Sequence, residues 1–186
     1  MNLGANALTG TESFGNYYMW GIPEPYNGTT PPQVENNKNP YNKNLSTLKQ
    51  DGIIDLVKGP NNTESYQLTS DFDAATCYYR TLPNAGSSIW FTPTKAQWAE
   101  LLDNDNCTWI WNAALKGYEV VSNFKTDGNN KVTLFMPAAG FIENGKPHNV
   151  GHYTYYWTST PPVDNSSDTQ NAWCMHISGA HRSASG

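Results

Sequence analysis

Two stretches near the C-terminal end carry residue types that can do chemistry. HNVGH places His148 and His152 four residues apart, and NAWCMHISGAHRSASG places Cys174 two residues before His176. Two histidines at i and i+4 on a helix would share one face and could hold a metal. Pro147, Gly151 and the β-forming residues that follow place this pair in a loop instead, as ordinary surface histidines. A thiol and an imidazole at i and i+2 share one face of a strand. Their Cα atoms then stand about 6.5–7 Å apart by strand rise, and the sequence offers no third group to orient the pair. Asp103-Asn104-Asp105-Asn106 resembles part of a calcium loop, but the glycine and the closing bidentate glutamate are missing. It reads as a helix C-terminal turn. No GxSxG elbow and no phosphate-binding glycine loop is present. Asp71, Asp73, Asp164 and Asp168 read as caps and solvated loop residues rather than as a glycosidase pair. The sequence therefore predicts no catalytic residue, no metal site and no cofactor.

Composition points the same way. The chain has 186 residues, 15% of them charged and 13% aromatic, with a net charge of −5. Scattered Lys and Arg in an acidic chain make no footprint for nucleic acid. No apolar run reaches the roughly 18 residues a membrane span needs. MNLGANALTG lacks the basic and apolar regions of a signal peptide, so no signal segment is expected in it. Asn, Gly, Pro, Ser, Thr, Tyr and Trp are plentiful, a balance common in extracellular proteins. Cys77, Cys107 and Cys174 can make one disulfide at most, and they show no zinc-ligand spacing. Seven Trp and eleven Tyr can build the core without a bridge. Each large ring buries about 150–250 Å², worth several kcal/mol at about 25 cal/mol/Å².

The elements that would position these residues follow from periodicity and punctuation. TESFGNYYMWG reads as a turn and a short aromatic strand. From about 22 to 67 the density of Pro, Gly and Asn predicts a long loop-rich insertion, with one ordered piece near Gly52 to Val57. Ser70 or Asp71 can cap a short helix over Ala74 and Ala75. Thr94-x-x-Gln97 is a capping box, and Trp98, Leu101 and Leu102 repeat at helical spacing, predicting a helix over Thr94 to Asn104. Strands are expected at Trp109/Trp111, GYEVVSNF, KVTLFMPAAG, YYWTST and NAWCMHIS, with a hairpin turn at Asp127 to Asn130. The expected fold class is α+β: two helices and a twisted antiparallel sheet in a single domain over 1–186.

The order LTSDFDAAT, WFTPTKAQWAELL, NCTWIW, GYEV, VTLFMPAAGF, GHYTYYWTST, NAWCMHIS, with FGNYYMWG near the start, resembles the Fibrobacter succinogenes major paralogous domain family. That family is common in Bacteroidetes surface lipoproteins. It is similar to C-type lectins and to non-catalytic relatives of formylglycine-generating enzymes. The resemblance implies a C-type-lectin-like fold and a non-enzymatic ligand-binding or adhesion module at a cell surface, facing a protein or glycan ligand. Trp111-Asn112 is followed by Ala113, so the carboxylate of the calcium-lectin triplet is missing. The fold is also similar to that of retroelement-diversified variable proteins of phages and bacterial surfaces, which implies an alternative role in receptor binding. The ending of such proteins runs on into a short final strand, which the resemblance leads one to expect is missing here. A formylglycine-generating-like enzyme is a further alternative and would require a reactive Cys174.

Alternation along NAWCMHIS then predicts two faces. Trp173, Met175 and Ile177 point to the core, while Cys174, His176 and Ser178 point outward. His181, Ser183 and Ser185 would continue the outward strip, with Tyr155 beside it. These seven residues are the expected ligand-binding set.

Overall fold

The computed structural model describes residues 2–26, 32, 34–35, 38–59, 63–83, 90–124, 131–162, 172–178 and 182–185, the last four by backbone alone. The expected turn at Asp127 to Asn130, together with Asp164, Asp168 and His181, lies outside them. The chain divides into two compact units. One takes Met1–Tyr17, Ala96–Tyr156 and Met175–Ala184; the other takes Tyr18–Lys95, Trp157–Cys174 and Ser185–Gly186. Helices and small antiparallel sheets together make the fold α+β.

The second unit contains much of the segment expected to be a loop. Within 22–67 strand β1 (Ile54–Lys58) falls on the ordered piece expected near Gly52 to Val57, whereas helix α1 (Leu45–Gln50) and most of strand β2 (Glu64–Leu68) stand where loop was expected. Asn44 caps α1 by accepting the Thr47 N–H at 2.8 Å, and Gly52 ends it at φ +70°. The β1–β2 pair is antiparallel with Ile54 opposite Leu68. Leu48, Ile53 and Ile54 are fully buried, and Trp20, Leu45, Tyr66, Leu68 and Phe72 pack around them. Each of the three contributes about 1.5–3 kcal/mol by burial, which outweighs the Pro and Asn punctuation nearby. Trp20 Nε1 donates to the Thr158 carbonyl at 2.8 Å, which ties residue 158 to this cluster. The aromatic stretch before it forms no strand: a 3-10 turn at Thr11–Ser13 is followed by irregular chain.

Helix α2 (Ala74–Arg80) is capped by Asp73, not by Ser70 or Asp71. The buried Asp73 carboxylate accepts from the Thr76 N–H at 2.8 Å and from the Thr92 N–H at 2.9 Å. Asp71 instead pairs with Arg80 at 2.9 Å on the surface, and that hydrogen bond holds its carboxyl below the usual range. Helix α3 (Lys95–Leu102) starts one residue after the expected Thr94 and ends two before Asn104. Its first N–H is satisfied by Thr160 Oγ1 at 3.0 Å.

The first unit carries the larger core. Strands β3 (Cys107–Asn112), β4 (Gly117–Ser122) and β5 (Thr133–Pro137) form an antiparallel sheet in the order β3-β4-β5, with Trp111 opposite Tyr118 and Tyr118 opposite Met136. The core face of this sheet carries Tyr118, Val120 and Met136. They pack with Trp98 of α3 and with Met175 and Ile177, ringed by Leu101, Leu102, Trp109, Trp111 and Tyr156. Trp109 and Trp111 meet Tyr118 edge-on at 5.5 and 5.1 Å between centroids.

Strands β6 (Phe141–Glu143) and β7 (Lys146–His148) form a hairpin around Asn144-Gly145, both at positive φ. His148 therefore ends a strand, where the sequence suggested a loop. Strands β8 (Tyr153–Trp157), β9 (Cys174–Ser178) and β10 (Arg182–Ser185) form a sheet in the order β10-β9-β8. Residues 182–185 lie beyond the last expected strand, where a final strand was expected to be missing, and pair with β9 as a strand.

Candidate functional site

Met175 and Ile177 are buried, at 0% and 1% exposure, as the alternation along β9 requires. Cys174 and His176 are half-buried. Ser178 is not outward: it is buried at 6% exposure, and its carbonyl accepts from the Tyr118 hydroxyl at 2.9 Å. The period-2 pattern holds, but the end of β9 is covered, so Ser178 leaves the expected ligand-binding set. Trp173 is half-buried just before the strand, with the Lys95 ammonium 3.1 Å from its ring centroid.

Strand β8 alternates in the same way. Thr154 is buried and Tyr156 half-buried on one face, while Tyr153, Tyr155 and Trp157 are exposed on the other. The His176 ring contacts both Tyr153 and Tyr155. It stacks on Tyr153 at 5.8 Å and 13° and on Tyr155 at 4.7 Å and 24°. Tyr155 meets Phe141 edge-on at 5.1 Å, and Phe141 stacks on His148 at 5.9 Å. Five rings from β6, β7, β8 and β9 therefore form one continuous cluster. His148 also lies 4.0 Å from the Glu143 carboxylate, an exposed pair of small energetic weight.

The cluster is held from below by backbone anchors. Tyr17 Oη donates to the Ala139 carbonyl and Tyr156 Oη to the Pro137 carbonyl, both at 2.6 Å. The Gly140 N–H donates to Tyr153 O and the Gly151 N–H to Ala138 O, both at 2.7 Å. Gly140 forms an isolated parallel bridge to Thr154, which brings the hairpin alongside β8. At Gly140 φ is +75° and a Cβ would collide with the His148 carbonyl, so only glycine fits.

Of the expected residues, Tyr155 and His176 are in contact, and Cys174 sits two positions along β9 from His176. Ser183 and Ser185 lie on β10, on the side of β9 away from β8. Tyr153, Phe141 and His148 join the cluster without having been expected there. Tyr153 was legible from the alternation with Tyr155, and the other two from the Asn144-Gly145 hairpin signal.

Chemically the cluster offers aromatic contact area and hydroxyl and imidazole polarity. Burial pushes the Cys174 thiol above its ordinary range, and the Cys77 thiol likewise. Little thiolate forms near neutral pH in either case. The described cysteines are unpaired, and among the described residues no three His, Cys, Asp or Glu side chains gather as metal ligands. No helix among them is long and apolar enough to cross a membrane. Comparison of the chain with protein-family models, with curated proteins and with solved structures finds no match.

Proposed function

We propose that this chain is a non-enzymatic ligand-binding or adhesion module with a C-type-lectin-like fold, related to the Fibrobacter succinogenes major paralogous domain family and displayed at a bacterial cell surface. The observation that carries the binding reading is the ring cluster Tyr153–His176–Tyr155–Phe141–His148. Tyr153 and Tyr155 keep 39% and 41% of their surface exposed although their rings are already packed against neighbours. Pre-packed aromatic side chains lose little rotamer freedom when a partner docks, which favours affinity. Exposed rings with polar tips are also the residue type that anchors interfaces. The raised Cys174 thiol supports binding over a formylglycine-generating-like thiol reaction. The order of sequence motifs supports the family and the surface location, and the ligand on this reading is a protein or glycan of another cell.

The test is binding of the whole chain to glycan and cell-surface protein arrays. The reading expects retention of at least one class of ligand, with no turnover. A chain that bound nothing on either array would contradict it and leave a structural role.

A further inference from the structure

The hairpin that brings Phe141 and His148 to the ring cluster turns on Asn144-Gly145. Asn144 is exposed at φ +48°, and Gly145 follows at φ +75°. The pair Glu143–Lys146 closes the two-residue turn through its own backbone groups, which leaves the Gly145 N–H out of the ladder. Four non-glycine residues have positive φ among the described residues: Asn42, Lys116, Asn144 and Asn149. Two of them precede a glycine, Lys116 and Asn144, and of these Asn144 alone carries a carboxamide; Asn149 precedes the branched Val150. A glycine on the C-terminal side has no Cβ to hinder approach of its nitrogen to the carboxamide.

We infer that Asn144 is a spontaneous modification site, at which the support of the ring cluster ages chemically. The Gly145 backbone nitrogen, having lost its proton to hydroxide, attacks Asn144 Cγ. The N–Cγ bond forms, the Cγ–Nδ2 bond breaks, and Nδ2 leaves as ammonia. A water molecule then opens the five-membered imide at one of its two carbonyls. Opening at one gives an ordinary aspartate at this position; opening at the other gives isoaspartate, with an extra main-chain carbon. The net change is an amide and water converted to a carboxyl group and ammonia. Either product adds one negative charge beside Glu143. The isoaspartate form also lengthens a turn whose register depends on two residues, and so unpairs Glu143 from Lys146 and loosens Phe141 and His148. The consequence for ligand binding rests on the function proposed above; the modification itself does not.

The experiment is peptide mapping of the intact folded chain after incubation at mildly alkaline pH, beside a free synthetic peptide spanning Phe141 to His148. Mapping separates this site from Asn27-Gly28, the other Asn-Gly pair of the sequence. The expected result is a gain of about 1 Da at Asn144, with both aspartate and isoaspartate present and a rate that rises with pH. Amide exchange over Phe141 to His148 should quicken in the converted fraction. An Asn144 that stays intact in the folded chain while the free peptide converts would overturn the inference. Conversion with unchanged amide exchange would overturn its link to the ring cluster. Neither readout needs a ligand, so a failure here is distinct from a failure of the binding reading.

Discussion

The His176 imidazole lies 4.7 Å from the Tyr155 ring, centroid to centroid, with the two planes 24° apart. Tyr153 stacks on the same imidazole at 5.8 Å, with the planes 13° apart. His176 therefore packs against two tyrosines of the neighbouring strand. What the surface presents is set by β8 as much as by β9.

Gly140 is the joint between that strand and the hairpin. Replacement by Ala places a methyl group against the His148 carbonyl at a backbone conformation that resists side chains. We expect Gly140→Ala to destabilise the chain by about 1–3 kcal/mol, read as a lower midpoint in denaturant unfolding. Amide protection over 141–148 should fall with it.

Asp73 joins helix α2 to the chain at Thr92 through two hydrogen bonds from a buried carboxylate. Asp73→Ala strands two backbone donors and should cost roughly 1–3 kcal/mol. Asp73→Asn keeps one acceptor oxygen and should cost less. Equal midpoints for wild type and Asp73→Ala in urea would show that the clamp has no energetic role.

Burial raises the phenols of Tyr156 and Tyr17 above the ordinary value of 10.0, and the thiols of Cys174 and Cys77 above 9.0. Between the unfolded and folded values the folded chain holds protons that the unfolded chain has lost. This part of the stability is complete below pH 9.0 and is lost as the pH rises through the folded values. Unfolding free energy measured against pH should fall on the alkaline side, and Tyr156→Phe should flatten that fall. For the same reason Cys174 should react with an alkylating reagent more slowly than a free thiol at neutral pH.

Much of the first unit was legible because its elements repeat at one period. Trp98, Leu101 and Leu102 marked α3 to within two residues at either end, and Met175 and Ile177 marked the buried face of β9. Period alone does not tell how deeply a residue lies, which is why Ser178, in phase with Cys174 and His176, is covered. The cap of α2 moved to Asp73 because that carboxylate also reaches Thr92, a contact 19 residues away that no local pattern records. In the 22–67 segment Leu48, Ile53 and Ile54 are too few to show a period against the surrounding Pro and Asn. Only their packing with Trp20 and Phe72 reveals them as a core. Tyr155 and His176 were singled out from separate strands, but their stacking depends on sheet order, which one strand's pattern does not contain.

One comparison tests the binding surface most directly: wild type, Tyr155→Ala and Cys174→Ala, each folded, applied to the same glycan and protein arrays. Removal of an aromatic anchor costs on the order of 2 kcal/mol or more at a binding hot spot. Tyr155→Ala should therefore lose roughly thirtyfold or more of the wild-type affinity, while Cys174→Ala, whose half-buried thiol lies outside the ring cluster, should lose far less. Full retention by Tyr155→Ala, with loss in Cys174→Ala, would contradict the account and place function on the thiol.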